Sequence, residues 1–244
     1  MSKLSQRIFL PQNTTNVQIL FVMESPGKEE LQDNYACTGE TGKIMSHYLC
    51  DRNPEPLGKL MQSRVEDHFA IFETFTFPLE SGLQDKTNPK FEQVMSQLKV
   101  IDNIKSTRQQ HYANLENFWK ELDPDQKQQF VNAYKDELIY CVKQLNNNTQ
   151  IVFCGFIAQS CFMQAFPQKE TPPYMRTFAT KQNKERRILF SNHPSVELYD
   201  NGPWCFGKCY RRDCAFTNKQ GAHPCETCKE RFQREKSVTS RQIV

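Results

Sequence analysis

No apolar stretch in the 244 residues approaches the roughly 18 that a membrane-spanning helix needs, so no membrane partner is expected. Residues 1–11 hold no apolar core of a secretory signal, and a cytoplasmic location is expected. A large excess of one sign of charge is also lacking, with 31 basic side chains against 28 acidic. The net charge of +3 is compatible with a nucleic-acid partner but does not argue for one. The chain has no internal repeat, and no cysteine precedes Cys37. With 38% hydrophobic and 24% charged residues, it reads as a globular chain able to bury one good core.

Four apolar runs have strand character. Residues 17–23 (VQILFVM) form a continuous run of β-formers that suits a strand buried on both faces. Residues 68–77 (HFAIFETFTF), 151–155 (IVFCG) and 187–191 (RILFS) are the others. Helical patterns lie between them: one beginning near Gly42, one over 91–100, and a long one to about Leu145 opened by Asp123-Pro124. That pair is an N-cap followed by proline at the first helical position. Residues 104–129 read as helical connections with Phe118, Trp119 and Leu122 as buried anchors, and 146–148 (NNN) as a turn. The alternation predicts a three-layer α/β/α sandwich around a central, mainly parallel four-stranded sheet. The expected division is an α/β domain over 1–204, a Cys-rich basic element over 205–231, and a tail over 232–244.

In open α/β sheets, ligands gather where strands end and helices begin. Here those ends carry Glu24-Ser25-Pro26-Gly27, Glu73-Thr74, Gly155 and Asn192-His193-Pro194-Ser195, which puts the most reactive side chains on one rim. Two basic segments flank His193. Residues 181–187 carry four basic side chains against one acidic, and 208–236 carry eight against four, as contact with a phosphate backbone would require. The stretch Thr38-Gly39-Glu40-Thr41-Gly42-Lys43 imitates an NTPase phosphate loop. However, Cys37 stands where that motif wants glycine, and Ile44 where it wants a magnesium-binding hydroxyl.

Taken together, LFVMESPGKEE, ACTGETGKIMSHYL, IVFCGFIAQSCF and LFSNHPSVELYDNGPW resemble, in that order, the uracil-DNA glycosylase superfamily. The branch resembled is the one whose first motif reads Gly-Glu-Ala-Pro-Gly. As in that branch, ten residues separate Gly27 from Thr38. The resemblance spans 17–204 and implies an enzyme that flips a base out of DNA and hydrolyses its bond to the sugar. It implies Glu24 and His193 as the catalytic pair. Glu24 would orient water and stabilise a cationic sugar, and His193 would donate a hydrogen bond to the departing base. The implied base pocket comprises Ser25, Tyr35, Cys37 and either Glu73 or Thr74. The implied DNA contacts are Pro26, Gly27, Gly39, Thr41, Lys43, Arg186, Arg187, Pro194 and Ser195, with Leu198 or Tyr199 filling the vacated stack.

Two departures bear on the substrate. Cys37 occupies the position of a base-stacking Phe, with Tyr35 near enough to replace it. Glu73 or Thr74 occupies that of a base-reading Asn. A roomier pocket with a changed polar code suits a bulky or hypermodified base, such as the glucosylated hydroxymethylcytosine that one superfamily member removes from phage DNA in antiviral defence. The alternatives are uracil or another deaminated base in repair, and a catalytically inactive DNA-binding module on the same fold. The family's iron–sulfur cluster is not expected, because its ligands begin with a cysteine pair near the N-terminus. Cys209, Cys214, Cys225 and Cys228 have the spacing of a structural zinc site instead, with Cys205 and His223 as alternates. No organic cofactor is expected, and the protein should act on DNA as a monomer.

Overall fold

The computed structural model describes residues 3–50, 54–80, 82–84, 89–104, 108–167, 177–179, 185–191 and 193–194. The chain folds as an α/β unit around a mixed sheet. Strands β1 (Ile8–Phe9), β2 (Ile19–Met23), β3 (Phe69–Glu73), β4 (Gln150–Cys154), β5 (Thr177–Ala179) and β6 (Glu185–Ser191) lie in the order β1-β3-β2-β4-β6-β5. The four runs legible in the sequence pair parallel to one another, β3 with β2, β2 with β4, and β4 with β6. The expectation of a mainly parallel four-stranded sheet is corrected by β1 and β5, which add antiparallel edges. Their two- and three-residue lengths are too short for a period-2 pattern to reveal them.

Between the strands lie helices α1 (Lys28–Asp33), α2 (Glu40–Leu49), α3 (Leu57–Gln62), α4 (Lys90–Met95), α5 (Gln97–Asp102), α6 (Arg108–Glu121), α7 (Pro124–Gln144) and α8 (Phe156–Ala165). Asp123 caps α7 by accepting from the Gln126 N–H at 3.0 Å, with Pro124 next, as its sequence predicts. The pattern over 91–100 is broken at Ser96 into α4 and α5, which places Lys99 near the start of a new helix.

Alternation along the strands feeds two apolar cores. Phe21, Met23, Ile71 and Val152 face Met45, Leu57 and Met61 of α2 and α3. Leu20, Val22, Phe72 and Phe153 face Leu98, Trp119, Tyr134, Leu138 and Ile157 of α5 to α8. Helices therefore cover both faces of the sheet. The second run ends as a strand at Glu73, sooner than the sequence suggests. Beyond it, the Thr74 and Phe75 amides bond to the carbonyls of Met23 and Glu24, and the chain turns so that Phe75 and Phe77 enter the core. Phe75 stacks on Phe130, and Phe130 on Trp119. Those two bonds also fix the backbone at Glu24. No helix among the described residues is long and apolar enough to cross a membrane.

Candidate functional site

Because the four inner strands are parallel, their carboxyl ends share one rim. Glu24 follows β2, Glu73 ends β3, Gly155 follows β4, and His193 lies just past β6. The decisive position is Gly155. A Cβ built there would lie 2.0 Å from Glu24 Oε1 and 3.2 Å from the His193 Cβ, so the carboxylate and the imidazole residue meet over this glycine. Its backbone (φ 87°, ψ 162°) also occupies a region essentially reserved for glycine.

Glu24 is buried, at 2% exposure, and its charge is supported from several sides. Its Oε2 accepts from Lys99 Nζ at 3.2 Å, and its Oε1 from the Ile157 N–H, in the first turn of α8, at 3.3 Å. A helix N-terminus favours negative charge. Burial pushes the Glu24 carboxyl up, but Lys99 foremost, then His193 and the Ile157 amide, bring it below its ordinary value. Burial moves His193 the other way, holding it below its usual value; Glu24 opposes this and Lys99 adds to it. At neutral pH the pair is an anionic carboxylate beside an uncharged imidazole.

Lys99 is the member of this site that the sequence does not disclose. It also reaches Asp102 at 3.6 Å, and Asp102 in turn pairs with His111 Nε2 at 2.8 Å. Lys99 is raised chiefly by Glu24, against burial, and further by Asp102. A lysine inside an amphipathic helical pattern reads as solvated surface. Its partner here is 75 residues away, and no local signal marks the pairing.

Glu73 differs from Glu24 in every respect except its burial. Burial, followed by the charges of Glu30 and Glu24, pushes its carboxyl well above the ordinary value and so favours the protonated acid, and its Oε2 has no hydrogen-bond partner. Thr74 donates its hydroxyl to the Met23 carbonyl at 2.6 Å. Of the two residues left open by the sequence, Glu73 is the one with an unspent polar atom. A raised carboxyl pKa means that the folded state holds its proton while the unfolded chain releases it. This group therefore destabilises the fold increasingly as pH rises above 4.5 toward the folded value. Glu73→Gln should match the native protein near pH 4.5 and become the more stable form by up to about 1.4 kcal/mol per pH unit above it. Urea unfolding at pH 5 and pH 8 checks this; equal gaps at both would show that Glu73 ionises in place.

Cys37 is buried at a positive φ of 53°, with its thiol 3.7 Å from the Met45 sulfur. Burial, then Glu73 and Glu30, push that thiol up. Its carbonyl explains the apparent phosphate loop: a Cβ on Gly42 would lie 1.8 Å from the Cys37 oxygen, so this glycine serves close packing. Tyr35 packs on Phe9 with ring centroids 4.6 Å apart, its phenol pushed up to about 12 by burial and by Cys37. Ser25 accepts from the Leu79 N–H at 3.4 Å.

Several residues expected at DNA are otherwise engaged. The amides of Gly27 and Gly39 both donate to the Glu30 carboxyl, at 3.1 and 3.2 Å, which locks the start of α1 against the start of α2. Lys43 is exposed and pairs with Glu40 at 3.3 Å. Thr41 is half-buried, and Pro26 and Pro194 are buried. Arg186 and Arg187 lie on β6 next to the antiparallel β5 edge. Ser195, Leu198, Tyr199 and the whole Cys-rich set (Cys205, Cys209, Cys214, His223, Cys225, Cys228) lie outside the described residues.

No protein-family model matches the chain, and no curated protein sequence matches it. Among the described residues, Glu66, Asp67 and His68 bring three candidate metal-binding atoms within 4.8 Å of one another. This cluster precedes β3, at the opposite end of that strand from Glu73. His68 Nδ1 already bonds to Glu66 at 2.8 Å.

Proposed function

We propose that the protein is a DNA glycosylase of the uracil-DNA glycosylase type, hydrolysing the bond between an extruded base and its sugar. The observation that carries this reading is the meeting of Glu24 and His193 over Gly155, at the carboxyl rim of the sheet. Breaking an N-glycosidic bond develops positive charge on the sugar and negative charge on the base. An ionised Glu24 orients the attacking water and offsets the first charge. A neutral His193 donates a hydrogen bond to the second. Both groups are held below their ordinary values, which leaves a carboxylate anion beside a neutral imidazole, and those two states suit these two tasks.

For the substrate we propose a bulky or hypermodified base, of which glucosylated hydroxymethylcytosine is the leading case. Cys37 is a small side chain where the resembled family stacks a ring. Glu73 has its carboxyl pushed toward the protonated acid and its Oε2 without a partner, and a protonated carboxyl offers a donor and an acceptor to a pyrimidine edge as an amide would. The test is a panel of uracil-containing, hydroxymethylated and glucosylated duplexes, scored for alkali-labile abasic sites. Abasic sites at the glucosylated cytosine support the reading. Cleavage confined to uracil moves the protein to repair, and cleavage of nothing removes the enzymatic reading.

We further propose that Cys209, Cys214, Cys225 and Cys228 bind one structural zinc, on their spacing alone. Elemental analysis of the purified chain should return about one zinc per molecule and no iron. Finding neither metal would end that proposal.

A further inference from the structure

The chain holds a charged relay that the proposed chemistry does not by itself require. His111, at the start of α6, bonds to Asp102 at the end of α5. Asp102 pairs with Lys99 one turn earlier, and Lys99 with Glu24. The outer end of the relay is anchored beside the site. The His111 ring packs on Phe156, the residue after Gly155, with centroids 4.5 Å apart. Next to it, Tyr112 packs edge-on against Phe156 and bonds through its hydroxyl to Gln159 of α8. Thus α5, α6 and α8 close around the carboxylate that meets His193 over Gly155.

We propose that Lys99, held between Asp102 and Glu24, is a positioning residue that fixes the Glu24 carboxylate in its charged form and over Gly155. The role rests on the glycosylase reading for its catalytic meaning. The geometry stands without it. A lysine intended only as a surface ion pair would extend into water. This one is 23% exposed on its side chain and spends its charge on two carboxylates, of which Glu24 is almost fully covered. A nucleophilic role is disfavoured, because both carboxylates hold Lys99 protonated.

The groups acting on Glu24 come from every element around it. Lys99 and Asp102 lie on α5, the Ile157 amide and Cys161 on α8, Glu73 on β3, and His193 beyond β6. Lys99 and His193 favour the carboxylate, Lys99 the more strongly of the two, whereas Asp102, Glu73 and Cys161 oppose it when ionised. Loss of Lys99 leaves the weaker pulls of His193 and the Ile157 amide against burial and the rival carboxylates. Loss of Asp102 leaves Lys99 to Glu24 alone.

Glutamate carrying carbon-13 at its side-chain carboxyl reports this directly in the full-length protein, with the Glu24 signal assigned by its absence in Glu24→Gln. Lys99→Met should raise the Glu24 midpoint by about 1 to 3 pH units. Lys99→Arg should leave it near the native value, and Asp102→Asn should lower it. On a cleaved substrate, the acid limb of the single-turnover rate should move up with Lys99→Met and be restored by Lys99→Arg. A Glu24 midpoint unmoved by Lys99→Met overturns the proposal, whatever the activity. If that variant does not fold, an unmoved midpoint in Asp102→Asn overturns it equally. Midpoints that shift as expected in a protein that cleaves nothing on the panel uphold the clamp and remove the glycosylase reading, so the two failures are distinguishable.

Discussion

Substituting alanine at Gly155 should lower the unfolding free energy by on the order of 3 kcal/mol. Two costs add. The backbone there, at φ 87° and ψ 162°, is strained for any side chain. The new methyl would also lie 2.0 Å from Glu24 Oε1, a carboxylate anchored by Lys99 and the Ile157 amide and therefore unable to yield cheaply. Gly82→Ala is the control, since a Cβ there meets nothing within 4 Å and its effect should stay within about 0.5 kcal/mol. Urea unfolding of both variants measures the difference. A Gly155→Ala protein as stable as the native one would mean that Glu24 does not sit over this glycine. If the protein is the glycosylase proposed, the same displacement should also abolish base excision, because the carboxylate would leave its place opposite His193.

On the glycosylase reading proposed above, Glu24→Gln should reduce base excision on the order of 1000-fold while keeping the shape of the site. The amide oxygen can still accept from the Ile157 N–H, so what is lost is charge. In the proposed reaction that loss would remove both the electrostatic support of the cationic sugar and the affinity for the attacking water's proton. Stability should fall by about 2 kcal/mol at neutral pH, since Lys99 keeps Asp102 but loses its closer partner. The folded Glu24 carboxyl lies below its ordinary value, so its stabilising contribution is full above 4.5 and fades as pH falls through the folded value. The gap between native and Glu24→Gln proteins should therefore close toward acid pH, whereas the gap for Glu73→Gln opens toward alkaline pH. Two buried glutamates on adjacent strand ends thus give opposite pH signatures. A chemical-denaturation series from pH 3 to pH 8 separates them, and parallel curves would contradict both assignments.

The opposition arises from which face of the sheet each residue meets. Glu24 follows Met23 and turns toward the side of α5 and α8, where a lysine and a helix N-terminus await it. Glu73, in register with Met23, shares its surroundings with Cys37 and Glu30, and among the described residues only the weaker pull of Arg7 offsets its burial. The local patterns ESPG and FETF do not tell the two charge states apart, since each glutamate is an acidic residue at the end of an apolar run.

The sequence by itself determined what depends on short spacing. The four inner strands, the capped start of α7, the buried Phe118, Trp119 and Leu122, and the gathering of Glu24, Glu73, Gly155 and His193 on one rim all follow from periodicity, capping and the parallel arrangement. Tertiary structure alone decided the contacts between distant segments. Lys99 meets Glu24, Glu30 takes the Gly27 and Gly39 amides, Thr74 bonds back to Met23 whereas Glu73 Oε2 has no partner, and the edges β1 and β5 make the sheet mixed. The physical reason is common to all of these. Hydrophobic pattern records which face of an element is buried, whereas the charge state of a buried group depends on which side chains from other elements arrive within a few ångströms of it.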